Sequence, residues 1–110
     1  MISPAQPGHY GRPVAIFVIE LYVSRTDRGA VRRAADRSQL AAQELTLEEV
    51  PVRYLRSMFV LEDETCFMLY EAASADAVRE VARRADLVFE RVAEATVAES
   101  IREENPQWLY

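Results

Sequence analysis

Lysine is missing from this chain of 110 residues: all thirteen basic residues are Arg. Histidine occurs once, as His9, and cysteine once, as Cys66. A single cysteine excludes an internal disulfide. A single histidine in an N-terminal stretch leaves no imidazole for acid–base catalysis within a folded core. The three glycines, Gly8, Gly11 and Gly29, form no phosphate-cradling loop, and there is no CxxC motif and no Ser/His/Asp set. An enzyme built on this chain would have to work with carboxylates, Tyr or Arg. The net charge of −5 supplies no basic face for nucleic acid. No apolar run approaches membrane-spanning length, so no membrane partner is expected. No basic segment followed by an apolar core opens the chain, so a cytoplasmic location without a signal peptide is expected. The Arg bias, with abundant Ala, reads as the mark of a GC-rich genome rather than of a function.

Half of the residues are apolar, enough for one folded domain with a core. The chain is organised around Pro51–Ser74. Two β-prone runs, Val52–Val60 and Thr65–Glu71, flank a short acidic break at Leu61–Glu64, which spells an antiparallel hairpin. Before it, Val14–Val23 is apolar almost throughout, as in a strand covered on both faces. One face carries Ala15, Phe17, Ile19, Leu21 and Val23; the other carries Ile16, Val18, Glu20 and Tyr22. The spacing predicts a helix from about Asp27 to Leu47, with Val31, Ala34, Ala35, Ser38, Ala41, Ala42 and Leu45 inward. Arg32, Arg33 and Arg37 fall largely off that stripe and read as a solvated face. Ser74 caps a second helix, about Ala75–Ala85, with Val78, Val81, Ala82 and Ala85 inward. Phe89–Val97 reads as a fourth strand. Residues 1–13, rich in Pro and Gly, form an irregular lead-in; 14–97 form the domain; 98–110 form an acidic tail ending in Trp108-Leu109-Tyr110.

The order β-α-β-β-α-β specifies an α+β fold, the ferredoxin-like plait: a four-stranded antiparallel sheet with both helices on one face. The other face would then be bare and apolar, which soluble monomers avoid. A second copy related by a two-fold axis is the simplest cover, so a face-to-face homodimer is expected.

Glu20 interrupts the apolar first strand, and Glu71 ends the third. Carboxylates meeting in a dimer cleft suit a hard or borderline cation, so Glu20 and Glu71 are the candidate metal ligands. The competing reading makes them rim carboxylates paired with Arg53, Arg56 or Arg91. Tyr22, Tyr54, Arg56, Tyr70 and Glu90 are candidates to line the cleft, and Glu94 shares a face with Glu90. Cys66, between Thr65 and Phe67-Met68, reads as a small buried hydrophobe.

The segments V-R-Y-L-R-S-M-F-V and E-D-E-T-C-F-M-L-Y-E-A-A-S, with the E-L-Y-V-S strand end before them, carry a resemblance. The chain resembles the small nickel-binding, ferredoxin-like proteins of GC-rich bacteria over roughly Ile16–Ala95. The resemblance implies a plait that dimerises, and nickel as the metal. It also implies a His-x-x-x-His pair in the second helix, where this chain has Ala82 and Asp86. Three functional classes follow. The first is a homodimeric binding module of that family with weak divalent-metal binding. The second is a cofactor-free oxygenase or small-ligand enzyme of the dimeric α+β barrel type. The third is a structural interaction protein. An enclosed apolar pocket with Tyr and Arg at its mouth would mark the enzyme; clustered carboxylates at the cleft would mark the metal binder.

Overall fold

The computed structural model describes residues 14–99. The six expected elements form in the expected order: β1 (Ala15–Tyr22), α1 (Ala30–Leu47), β2 (Val52–Val60), β3 (Thr65–Ala72), α2 (Ala75–Arg84) and β4 (Arg91–Ala95). They make one antiparallel sheet of order β2-β3-β1-β4, the arrangement of a ferredoxin-like plait. Residues 1–13, with His9, and the tail beyond residue 99, with Trp108, lie outside the described residues.

The core follows from strand parity. Phe17, Ile19 and Leu21 of β1 and Cys66, Met68 and Tyr70 of β3 are buried on one sheet face. The register sets Ile19 opposite Met68, and neither exposes any surface. Against them pack the inward stripes of the helices, Ala34, Ala35, Ser38, Ala41, Ala42 and Leu45 of α1 and Val78, Val81 and Ala82 of α2. Four of the six α1 residues are Ala, small enough for a helix to lie close to a sheet.

The helix ends are built in three ways. Ser74 caps α2 as expected, its Oγ accepting from the Ala77 N–H at 3.2 Å. The start of α1 departs from expectation. It begins at Ala30 rather than Asp27, because Asp27 sits in a turn and its carboxylate accepts from the Arg33 guanidinium at 2.8 Å. Both C-termini close the same way. The Val50 N–H reaches Leu45 O and the Glu49 N–H reaches Thr46 O; Leu87 and Asp86 repeat the pattern on Ala82 and Arg83. These are Schellman closures, which need a left-handed residue, and here the residues are Glu49 (φ 71°) and Asp86 (φ 58°) rather than glycine.

Arg84 ties the helices together. Its guanidinium donates to Glu80 one turn back and to both Glu48 carboxylate oxygens at 2.8 and 2.9 Å across the helix pair. Hydrogen bonds from Arg83 and Arg84 hold the Glu80 carboxyl down at about 2, well below the usual carboxylate range. Arg37 of α1 also donates to the Ala85 carbonyl at the end of α2, at 2.7 Å.

The single buried polar residue among the described core is Ser38, whose Oγ lies 2.8 Å from the Tyr70 hydroxyl. Burial pushes the Tyr70 phenol well above its ordinary range, and the Ser38 hydrogen bond pulls the other way. Removing one partner leaves a buried hydroxyl with only the Met68 sulfur, 3.9 Å away. Ser38→Ala should therefore destabilise the fold by about 1–3 kcal/mol, read from the urea midpoint. Adding Tyr70→Phe should recover much of that loss. A Ser38→Ala protein as stable as the parent would show that the pair contributes nothing.

Candidate functional site

The second sheet face carries no helix. Across it run Ile16, Val18, Glu20 and Tyr22 of β1, Thr65, Phe67, Leu69 and Glu71 of β3, and Ala93 and Ala95 of β4. Met58 of β2 stands beside Phe67 and is 57 % exposed. The middle of this face is apolar, and its side chains are half-buried or exposed, as strand parity in β1 predicts.

Glu20 and Glu71 both lie on this face, at opposite ends. Glu71 pairs with Ile16 and Glu20 with Phe67, so four residues of β1 separate their rows. At about 3.3 Å per residue that is roughly 13 Å, too far for one cation within one chain. Each carboxylate has an arginine partner instead. Arg53 Nη2 donates to Glu71 at 3.1 Å, and Arg91 Nε lies 3.3 Å from Glu20. The two pairs frame the apolar centre.

Tyr22, 60 % exposed, and Arg56 also belong to this face. Three other candidates do not. Tyr70 is buried on the helix side, bonded to Ser38. Tyr54 pairs with Tyr70 in the register, meets it edge-on with centroids 5.6 Å apart, and spends its hydroxyl on Ser57 at 2.6 Å. A bulge at Leu55, between Tyr54 and Arg56, reverses the parity of β2 and sends these two side chains to opposite faces. Glu90 precedes β4, which starts at Arg91; its backbone N–H donates to Glu20 O at 2.7 Å. The residue opposite Glu20 is thus Arg91, not Glu90, and Glu94 pairs with Phe17 on the helix side.

The donors needed for a tight nickel site do not come together in one chain. Among the described residues no three of His, Cys, Asp and Glu gather around a point. Cys66 is fully buried on the helix side of the sheet. The positions matched to the implied histidine pair are no better placed. Ala82 is fully buried in α2, and Asp86 lies beyond the helix in the left-handed closure. Nickel favours imidazole or thiolate, and the described residues offer neither at a shared site.

At the end of the sheet, between the C-terminal half of α1 and the start of β2, lies an open groove of about 790 Å³. Its walls include Ala42, Leu47, Pro51, Val52 and Tyr54, with Val14 at one end. Gln39, Gln43, Arg53 and Glu71 supply its polar rim. The strand pattern alone gave no sign of this groove. Thr46 of its lining ties the end of α1 to β2, its hydroxyl bonding both the N–H and the carbonyl of Val52.

Burial pushes the Cys66 thiol above its ordinary range, so it stays protonated and shielded. A thiol reagent should label the native protein at least tenfold more slowly than the denatured protein. Equal rates would place the side chain at the surface and restore it as a ligand candidate.

No curated protein matches the chain. The model of the family described as "Nickel responsive protein SCO4226-like" matches residues 23–95, from the end of β1 through β4. The chain belongs to this family of nickel responsive proteins.

Proposed function

We propose that the protein is a small homodimeric binding module of the nickel responsive family, holding divalent nickel weakly through carboxylates at its dimer cleft. The observation that carries the dimer is the uncovered apolar sheet face, with Ile16, Val18, Phe67, Leu69 and Met58 at its centre. Contiguous apolar surface rimmed by charge marks an interaction face. A second copy of the same face is self-complementary under a two-fold axis.

The same symmetry bears on the carboxylates. A two-fold axis lying in the sheet plane and across the strands reverses strand direction. The Glu20 end of one protomer then lies over the Glu71 end of its partner. Two carboxylates from different protomers approach in this arrangement, although the two within one chain stand about 13 Å apart. Each must give up contact with Arg91 or Arg53 to bind a cation, which makes the binding weak. Family membership supports nickel as the cation.

Val18→Asp places a charge at the centre of the face. The parent should run as a dimer at micromolar concentration in light scattering, and the variant should run as a monomer or aggregate. A parent that stays monomeric at that concentration overturns the dimer.

Nickel binding should be weak by calorimetry on protein free of any purification tag, since a tag brings its own imidazoles. The signal should vanish in Glu20→Gln combined with Glu71→Gln, and also in monomeric Val18→Asp. Tight binding that survives the double substitution would show that the ligands lie elsewhere.

A further inference from the structure

A second cavity, of about 370 Å³, opens at the opposite end of the sheet from the groove, where the end of β1 and the start of α1 meet the turn after α2. Of its lining only Tyr22 belongs to the open sheet face. Four charged side chains line it: Asp27, Arg33, Arg37 and Asp86. Neither the family nor the proposed function gives it a ligand. We propose that this cavity binds a free amino acid with an aliphatic side chain, its carboxylate on Arg37 and its ammonium on Asp86.

The charges decide the ligand. Two of the four are spent on each other: Arg33 Nη2 donates to both oxygens of Asp27, at 2.8 and 2.9 Å. Arg37 uses only its Nε, which donates to the Ala85 carbonyl at 2.7 Å. Its terminal nitrogens have no partner among the described residues, and neither has the Asp86 carboxylate. The two form no ion pair with each other, although Arg37 is bonded to the residue just before Asp86. One small cavity thus holds a cation and an anion that are neighbours without touching. A lone anion on Arg37 would be repelled by Asp86, and a lone cation on Asp86 by Arg37. A molecule that carries both charges a few bonds apart satisfies both groups.

The backbone sets the two groups in place. Asp86 stands in the left-handed conformation (φ 58°), its N–H bonded to Arg83 O. Arg37 is tied to the same closure of α2 through Ala85. With Nε spent there, the two terminal nitrogens point a fork that matches a carboxylate. The cavity is at the small end of the range for ligand sites, which suits a small metabolite rather than a large one. Beside the charges, Leu87 is buried and Val88 is 88 % exposed. An aliphatic side chain laid over Val88 removes apolar surface from water. Arg37 and Asp86 are themselves exposed, so binding is weak, in the millimolar range.

The test is titration of the full, metal-free chain with L-valine, followed by NMR. Saturable shifts of the Arg37, Leu87 and Val88 amides are expected, with Gln43 and Val52 at the groove unmoved. Isobutylamine lacks the carboxylate and isovalerate lacks the ammonium; each should bind at least about tenfold more weakly. Asp86→Asn should weaken L-valine at least about fivefold without weakening isovalerate. Asparagine also adopts the left-handed conformation, so the closure of α2 is kept. Arg37→Gln should weaken L-valine without weakening isobutylamine. Amides that do not move at tens of millimolar L-valine overturn the proposal. So does isovalerate or inorganic phosphate binding as tightly as L-valine, which makes the cavity an anion site. L-valine binding unchanged in both variants also overturns it, because the ligand then lies elsewhere.

Discussion

A strand has two faces, and β1 is apolar on both. That one constraint organises the molecule. Phe17, Ile19 and Leu21 are satisfied within the chain by α1, α2 and the matching residues of β3. Ile16 and Val18 are not: they share an open face with Phe67 and Leu69. Apolar surface left in water forgoes about 25 cal/mol per Å², so each of these half-buried side chains adds to the advantage of covering the face. The described fold therefore leaves one sheet face without a covering layer, and an uncovered apolar face marks a place of interaction.

The helix layer is held to the sheet by small residues and to itself by arginine. Ala at the buried positions of α1 brings its backbone close to the strands but contributes little apolar area per residue. Arginine contacts add to it at the periphery, where Arg84 pairs α2 with Glu48 at the end of α1 and Arg37 of α1 donates to the Ala85 carbonyl at the end of α2. Arginine suits both contacts, since its planar fork donates several hydrogen bonds in one geometry. Arg37, read from spacing as part of a solvated face, is exposed as expected and also links the helices through the Ala85 carbonyl. Spacing assigns a side chain to a helix face but does not say how far a guanidinium reaches along it.

Element order, the central hairpin, both inward stripes and the Ser74 cap were legible in the sequence because each rests on a local or periodic signal. What was not legible rests on single departures from periodicity. Leu55 adds one residue to β2, and counting by twos past it places Tyr54 and Arg56 on the same face when the bulge divides them. Glu90 was counted into a fourth strand from Phe89, but β4 begins at Arg91, and Glu90 lies just before it. Glu49 and Asp86 close the helices in the left-handed conformation, where glycine is the usual signal and no glycine stands. The start of α1 moved because Asp27 bonds Arg33 instead of capping the helix, a preference decided by side chains six residues apart. The groove lies between α1 and β2, and no pattern in either element encodes it.

The fold that the resemblance implies is present in this chain, and the histidine pair that it implies is not. The resemblance implies two histidines one turn apart in α2, at the positions of Ala82 and Asp86. In this chain the first is sealed in the core, touching the inward stripe of α1. An imidazole there would overfill a packed layer and need a buried partner for each ring nitrogen. The second stands past the end of the helix with φ 58°, so the pair no longer shares a helical face. Restoring the histidines would therefore require remodelling the end of α2 as well as replacing two side chains. The carboxylates of the open face carry no such obstacle: they are one-third exposed and held by contacts with surface arginines that a cation can displace. The residues of the second helix therefore offer no site for a metal cation, and the proposed metal reading rests on Glu20 and Glu71 of the open sheet face alone.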